Sequence, residues 1–203
     1  MNGFEIRANA IKAKIRATTL DLLRTTELKK IRIADIAKQA SVSQVTIYNY
    51  FGSKTALYRE TFIEFAEKAI ADFEAYLNEG HTLKEKIEHI ILLEKTTYRD
   101  FPPARLRELL SQDPQLAAYF ERQIRERSIP MTERIIREGK MSGEISDDVM
   151  TENVLAFMML FSNQYDLILE MAQQSGDMDR FLEGMVQLFF YGICGKPQSE
   201  VGK

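Results

Sequence analysis

The sequence predicts an all-α protein of about nine helices, and three observations carry this. Apolar residues recur at three- and four-residue steps along almost the whole chain. No segment alternates apolar and polar residues over a sustained stretch with β-branched enrichment, so no strand is expected. Only 10 glycines and 5 prolines punctuate 203 residues, which suits packed helices better than loops.

The elements follow in order. Ala8, Ile11, Ile15, Leu22 and Leu23 mark one amphipathic helix over about 5–26, ended by a polar break at 25–30. Ile33, Ile36, Ala37 and Ala40 predict a short second helix, Ser41-Val42-Ser43 a turn, and residues 44–51 a short third helix stopped at Gly52. Ser53 is a good N-cap for a long helix over 54–77, closed by Asn78-Glu79-Gly80. A helix over 82–100 is interrupted by Pro102-Pro103, and 104–111 is a short one. Asp113 caps a helix with Pro114 at its first position; it runs to about Gly139 with a bend near Pro130. After a connector over 141–147, with Asp147-Asp148 as an acidic pair answering the next helix dipole, two last helices cover about 148–174 and 177–194, and the tail 195–203 frays.

Composition sets bounds. A single cysteine, Cys194, excludes an internal disulfide and a Cys-rich zinc module, and is expected to be a small buried apolar residue. His81 and His89 lie eight residues apart, about 12 Å along a helix, too far for one simple metal site. No GxSxG, GxGxxG, Walker A or HExxH pattern occurs, so an enzyme, a metal and a cofactor are not expected. The first 16 residues are basic without an unbroken apolar stretch, and the longest apolar run, 154–161, is too short to span a bilayer; a cytoplasmic protein is expected.

Charge is distributed unevenly. Residues 1–60 hold 11 Lys/Arg against 5 Asp/Glu, a net of +6, and the remainder holds 16 against 25, a net of −9, which together make the −3 of the whole chain. A basic N-terminal third on an acidic body is the footprint of a nucleic-acid module joined to something else. Within that third, 33–50 reads as a helix-turn-helix. Ala37 is the small residue where two steeply crossing helices touch, Val42 plugs the turn, and Ile36, Ile47 and Tyr50 anchor the pair. Tyr48 and Tyr50 cannot share a face, and Tyr50 is assigned to the core. The second helix then presents Gln44, Val45, Thr46, Tyr48 and Asn49, hydrogen-bonding and apolar groups suited to base edges and phosphates rather than to a plain solvated face.

Residues 8–60 resemble the DNA-binding domain of the TetR family of bacterial transcriptional repressors. The resemblance rests on Asp35-Ile36-Ala37, Ala40-x-Val42-Ser43, Thr46-Ile47-Tyr48-x-Tyr50-Phe51 and Ser53-Lys54-x-x-Leu57. It implies a DNA-binding domain over 1–53 and a helical effector-binding and dimerisation domain over 54–203. Ser43 would cap the recognition helix and bond a phosphate, Gln44 and Thr46 would face bases, and Val45 would meet a thymine methyl. Tyr48 and Asn49 would touch the backbone, with a base as the alternative for Asn49, and Lys54, at the start of a helix, a phosphate. Two positions depart from the family pattern. Ser41 stands where glycine is usual, so strain or an adjusted turn is expected. Arg32 stands where a capping threonine is usual; it cannot cap, but it can reach a phosphate.

The last two helices are apolar over more than one face (154–161; Phe181, Leu182, Met185, Val186, Leu188, Phe189, Phe190, Ile193), so they need a partner, and a symmetric four-helix homodimer interface would supply it. The resemblance further implies a pocket for an unidentified small apolar or aromatic effector, with Phe62, Phe65, Leu93, Thr97, Phe101, Leu110, Met131, Ile135, Met158, Phe161 and Tyr165 as its lining. The expected function is a homodimeric repressor on a palindromic operator in double-stranded DNA. An activator or ligand-independent regulator with the same head, or a helical module that has lost DNA binding, remain open.

Overall fold

The computed structural model describes residues 3–89, 101 and 103–194, with helices joined by turns and short extended segments and no strand among the described residues. The helices are α1 (Gly3–Thr25), α2 (Ile33–Ala40), α3 (Gln44–Phe51), α4 (Lys54–Leu77), α5 (83–89), α6 (Pro103–Gln112), α7 (Pro114–Gln123), α8 (Ile129–Met141), α9 (Thr151–Asn163), α10 (Tyr165–Gln174) and α11 (Met178–Cys194). The described residues fall into two compact units, 3–78 with 101 and 103–119, and 79–89 with 120–194.

The first unit is built on α1, which packs along α4 and across α2. Its core is Ile15, Leu23, Ile31, Ile36, Ile47 and Leu57, all fully buried. Thr19 is buried among them because its hydroxyl donates to the Ile15 carbonyl at 2.8 Å. Helix α6 closes the C-terminus of α1: the Arg105 guanidinium donates to the Leu23 carbonyl and, at 2.7 Å, to that of Thr26. A cation there satisfies orphan carbonyls and answers the helix dipole. Asp113 caps α7 as expected, its Oδ1 accepting from the Gln115 and Leu116 amides at 3.0 and 3.3 Å.

In the second unit, Thr82 and Glu85 cap α5 reciprocally, the Glu85 carboxylate accepting from the Thr82 amide at 2.8 Å and the Thr82 hydroxyl from the Glu85 amide at 3.3 Å. Leu83, Ile87, Ile135, Ile136, Ile145, Val154, Ala172 and Leu182 form its core. Lys86, 8% exposed, is tied to Glu138 at 2.8 Å, and Glu138 also accepts from Arg134 at 2.7 Å.

Three expectations are corrected. The helix after Asp113 does continue past Gly139, to Met141, but its irregularity is a π turn at Ile124–Ser128, where the Ile129 amide bonds the Ile124 carbonyl; the wider turn precedes Pro130, which has no amide to give. The helix expected over 148–174 is two, α9 and α10, separated at Gln164 (φ −103°, ψ 14°), a backbone that has left the helical region. Helix α9 begins at Thr151, so Asp147 and Asp148 lie in the preceding turn and Glu152 supplies the first-turn acid. Only 83–89 of the helix expected over 82–100 lies within the described residues, and the tail 195–203 and the Cys194 side chain lie outside them.

Candidate nucleic-acid interface

The helix-turn-helix is assembled by local rules. Helix α2 turns Ile33, Ile36, Ala37 and Ala40 inward, and α3 turns Ile47 and Phe51 to meet them. Between them the chain reverses at Ser41, the one non-glycine residue with positive φ among those described (φ 54°, ψ 46°). The Val42 amide bonds the Ala37 carbonyl at 3.0 Å and the Ser41 amide that of Lys38 at 3.2 Å, closing the C-terminus of α2 with the left-handed residue usually supplied by glycine. The strain expected at Ser41 is thus present as a left-handed backbone, and Val42 plugs the turn half-buried.

Ser43 caps α3: its Oγ accepts from the Thr46 amide at 3.0 Å and shares a 2.8 Å hydrogen bond with the Thr46 hydroxyl. Thr46 is therefore half-buried and turned back on its cap, whereas Gln44, Val45, Tyr48 and Asn49 stand exposed, Val45 at 66% and Tyr48 at 48%. Helix α3 carries no acidic side chain to repel a phosphate. Tyr50, assigned to the core, is half-buried with the Lys12 ammonium 5.5 Å over its ring. Lys12 was not among the expected site residues; its signal was the basic run Arg7, Lys12, Lys14 on α1.

Arg32 occupies the N-cap position of α2 with an extended backbone and is exposed. Its guanidinium grips Asp35 in a two-pronged pair (Nε–Oδ2 and Nη2–Oδ1, both 2.9 Å), and the same carboxylate accepts the Arg32 amide at 3.3 Å. Asp35 thus supplies the cap that arginine cannot. The hydrogen bonds from Arg32 hold the Asp35 carboxyl below its ordinary range, and Asp35 raises Arg32 in return. Ser53 caps α4 through the Ala56 amide at 3.0 Å. Lys54, the first residue of α4, does not reach outward: its ammonium donates to the Ile31 carbonyl at 2.5 Å and lies 3.5 Å from that of Leu28. It ties the α1–α2 loop to α4.

Of the expected effector-contacting residues, Phe62, Phe65 and Phe101 come together in the first unit, with ring centroids 4.6 Å apart for Phe62–Phe101 and 5.7 Å for Phe62–Phe65, in edge-on and tilted arrangements. Leu110 is half-buried in that unit; in the second unit Ile135 is buried, and Met131 and Met158 are half-buried. Leu93, Thr97 and the side chains of Phe161 and Tyr165 lie outside the described residues.

A basic head in which a capped helix lifts hydrogen-bonding side chains clear of its own anchor defines a helix-turn-helix DNA-binding regulator. Residues 15–61 match the sequence model of the bacterial regulatory proteins of the tetR family. The curated relatives that the chain resembles carry the names of regulators, not of enzymes. It is 24% identical over 158 residues to the HTH-type transcriptional regulator UidR of Escherichia coli (strain K12), covering 74% of this chain and 77% of that one. It is 25% identical over 181 residues to the fatty acid metabolism regulator protein of Bacillus subtilis (strain 168), covering 81% and 86%. Its fold is similar to that of the transcriptional regulator FadR from Bacillus subtilis, solved in complex with stearoyl-CoA, with a TM-score of 0.66, 21% identity, and 89% of this chain and 98% of that one covered. Among the described residues no helix is long and apolar enough to cross a membrane.

Proposed function

We propose that the chain is a homodimeric repressor that binds a two-fold operator through α3 and is released by a small apolar or aromatic effector. The observation that carries the DNA reading is the exposed row Gln44, Val45, Tyr48 and Asn49 on a helix whose opposite side is pinned by buried Ile47 and Phe51. In this reading residues 1–53 read DNA and 54–203 sense and dimerise. Gln44 faces a base, Val45 a thymine methyl, and Ser43, Tyr48, Asn49 and Arg32 the backbone; Thr46 reaches a base only by turning its hydroxyl away from Ser43. Lys54 reaches a phosphate only when its ammonium leaves the Ile31 carbonyl.

Dimerisation falls to the last helices, where Phe157, Met159, Leu160, Leu167, Met171 and Leu188 are each at least 46% exposed in the single chain. The effector would act through α4, about 36 Å long, which starts at the head and carries Phe62 and Phe65 of the aromatic cluster in its middle. A ligand that favours a conformation with badly spaced recognition helices lowers DNA affinity by its difference in binding energy between the two states. The stearoyl-CoA held by the Bacillus subtilis protein makes a fatty acyl chain the first apolar effector to try. The test is a gel shift on the intergenic DNA flanking the gene, at low and high salt, with sedimentation of the free protein. A salt-sensitive complex from a dimer is expected. No complex at low salt sinks the DNA reading, and a stable monomer sinks the two-fold operator.

A further inference from the structure

Within the first unit a cleft of about 150 Å³ opens between the α1–α2 loop, the first turns of α4 and the α6–α7 corner. None of the expected effector-contacting residues lines it. That volume is the size of cavity that admits a benzene ring. One wall is apolar, made by Leu28, Leu109 and Leu116, each no more than 3% exposed.

The other wall is cationic. Lys29, Lys54 and Arg59 line it against one carboxylate, Asp113, and that carboxylate already neutralises Arg59 at 2.7 Å. The Lys54 ammonium has two backbone carbonyls and the face of Tyr58, 5.5 Å away, for partners, and no carboxylate. A half-buried cation held only by neutral groups favours an anion beside it. Tyr58 also lines the cleft, is 7% exposed, and its hydroxyl is buried with no hydrogen-bond partner. Burial pushes its phenol well above the ordinary tyrosine value, so it stays a neutral O–H donor at any physiological pH.

We propose that this cleft is a second small-molecule site that takes an organic anion, a carboxylate on a body no larger than one aromatic ring. The ring lies on Leu28, Leu109 and Leu116, and the carboxylate accepts from the Tyr58 hydroxyl beside the Lys54 and Lys29 ammonium groups. The site is independent of the effector reading above, which uses none of its lining residues; Lys54 alone is shared with the DNA reading.

Sodium benzoate is the probe, titrated calorimetrically into the full-length chain without DNA, with benzyl alcohol as the uncharged ring of matched size. One saturable benzoate site per chain is expected, with benzyl alcohol binding at least tenfold more weakly. Tyr58→Phe, which keeps the ring in place, should weaken benzoate about tenfold, the loss of one hydrogen bond to a charged acceptor. Thr55→Tyr, at the exposed rim of the cleft, should block binding without touching the core. Circular dichroism checks that both variants are folded. No saturation, equal binding of the neutral ring, or benzoate affinity unchanged in both folded variants overturns the proposal, and none of these outcomes bears on whether α3 reads DNA.

Discussion

Asp113 holds Arg59 by one carboxylate oxygen, at 2.7 Å from Nε, while its other oxygen caps α7. One side chain, 6% exposed, therefore joins α4 to the corner between α6 and α7. Asp113→Ala removes a cap, about 1 kcal/mol, and leaves a largely buried guanidinium without its counter-charge. The expected loss is about 2–4 kcal/mol in urea unfolding. Asp113→Asn keeps the cap and should recover roughly the capping share. If the two variants unfold at the same denaturant concentration, the capping role is misassigned.

Ser41 is in the left-handed region, at a position where a side chain brings strain. Ser41→Gly relieves that strain but gives the unfolded chain more freedom, so the net gain should be small, about 0.5–1 kcal/mol. Ser41→Val, β-branched, should lose stability instead. Thermal unfolding of the pair decides it, and a glycine variant that melts below the parent refutes the strain.

Gly139 lies inside α8, where alanine ordinarily adds about 1 kcal/mol. Here a Cβ would stand 2.7 Å from Ile145 Cδ1 and 3.2 Å from Leu83 Cδ2. Ile145 is held over the glycine because its amide and that of Glu144 both bond the Gly139 carbonyl at 2.9 Å. Overpacking costs about 1–3 kcal/mol, so Gly139→Ala should be net destabilising. In an Ile145→Ala background only the Leu83 methyl, the far end of its side chain at 3.2 Å, remains, and the same substitution should be much less destabilising or neutral. A double-mutant cycle with no coupling would refute the contact.

How much of this was legible in the sequence depends on the range of the interaction. The limits 44–51 and 54–77 could be read because Ser43, Gly52 and Ser53 act within three residues of themselves, and Asp113-Pro114 announces α7 in the same way. Helical phase put Tyr48 outward, as found, but Tyr50, assigned to the core, is only half-buried, and Phe51 takes the buried place beside Ile47. The job of Lys54 was not legible, since its carbonyl partners lie 23 and 26 residues away. The break at Gln164 carries no glycine or proline, and the π turn at 124–128 is shifted upstream of the proline that suggested a bend. The cleft under Tyr58 gathers residues from 28 to 116 and has no local signature.

Glu138 accepts from both Lys86 and Arg134, and these bonds hold its carboxyl below the ordinary value of 4.5. A depressed carboxylate stabilises the fold above its unfolded value and loses that contribution as pH falls through the folded one. Stability should therefore fall on acidification below about pH 4.5, and Glu138→Gln should differ from the parent at pH 7 but converge with it in acid. Because Glu138 is 39% exposed, solvent screening keeps the difference modest. Urea midpoints at pH 7 and pH 3.5 test this; a constant gap between the two proteins would show that the ion pairs do not set it.

The sharpest contrast in the head lies between Gln44 and Lys54. Gln44 is exposed on α3 and makes no contact that holds the fold. Gln44→Ala should leave stability unchanged, cost about 1–3 kcal/mol on the preferred operator, and relax the preference at one base position. Lys54 bonds the Ile31 carbonyl at 2.5 Å and has no carboxylate partner. Lys54→Ala should lower the stability of the free protein by about 1.5–3 kcal/mol, the range for a hydrogen bond from a charged donor. It should also weaken all DNA sequences alike, with a shallower salt dependence if the ammonium moves to a phosphate. Unfolding curves without DNA, set beside binding isotherms at two salt concentrations, separate the two roles. A Lys54→Ala protein as stable as its parent would mean that the loop is held by something other than this bond.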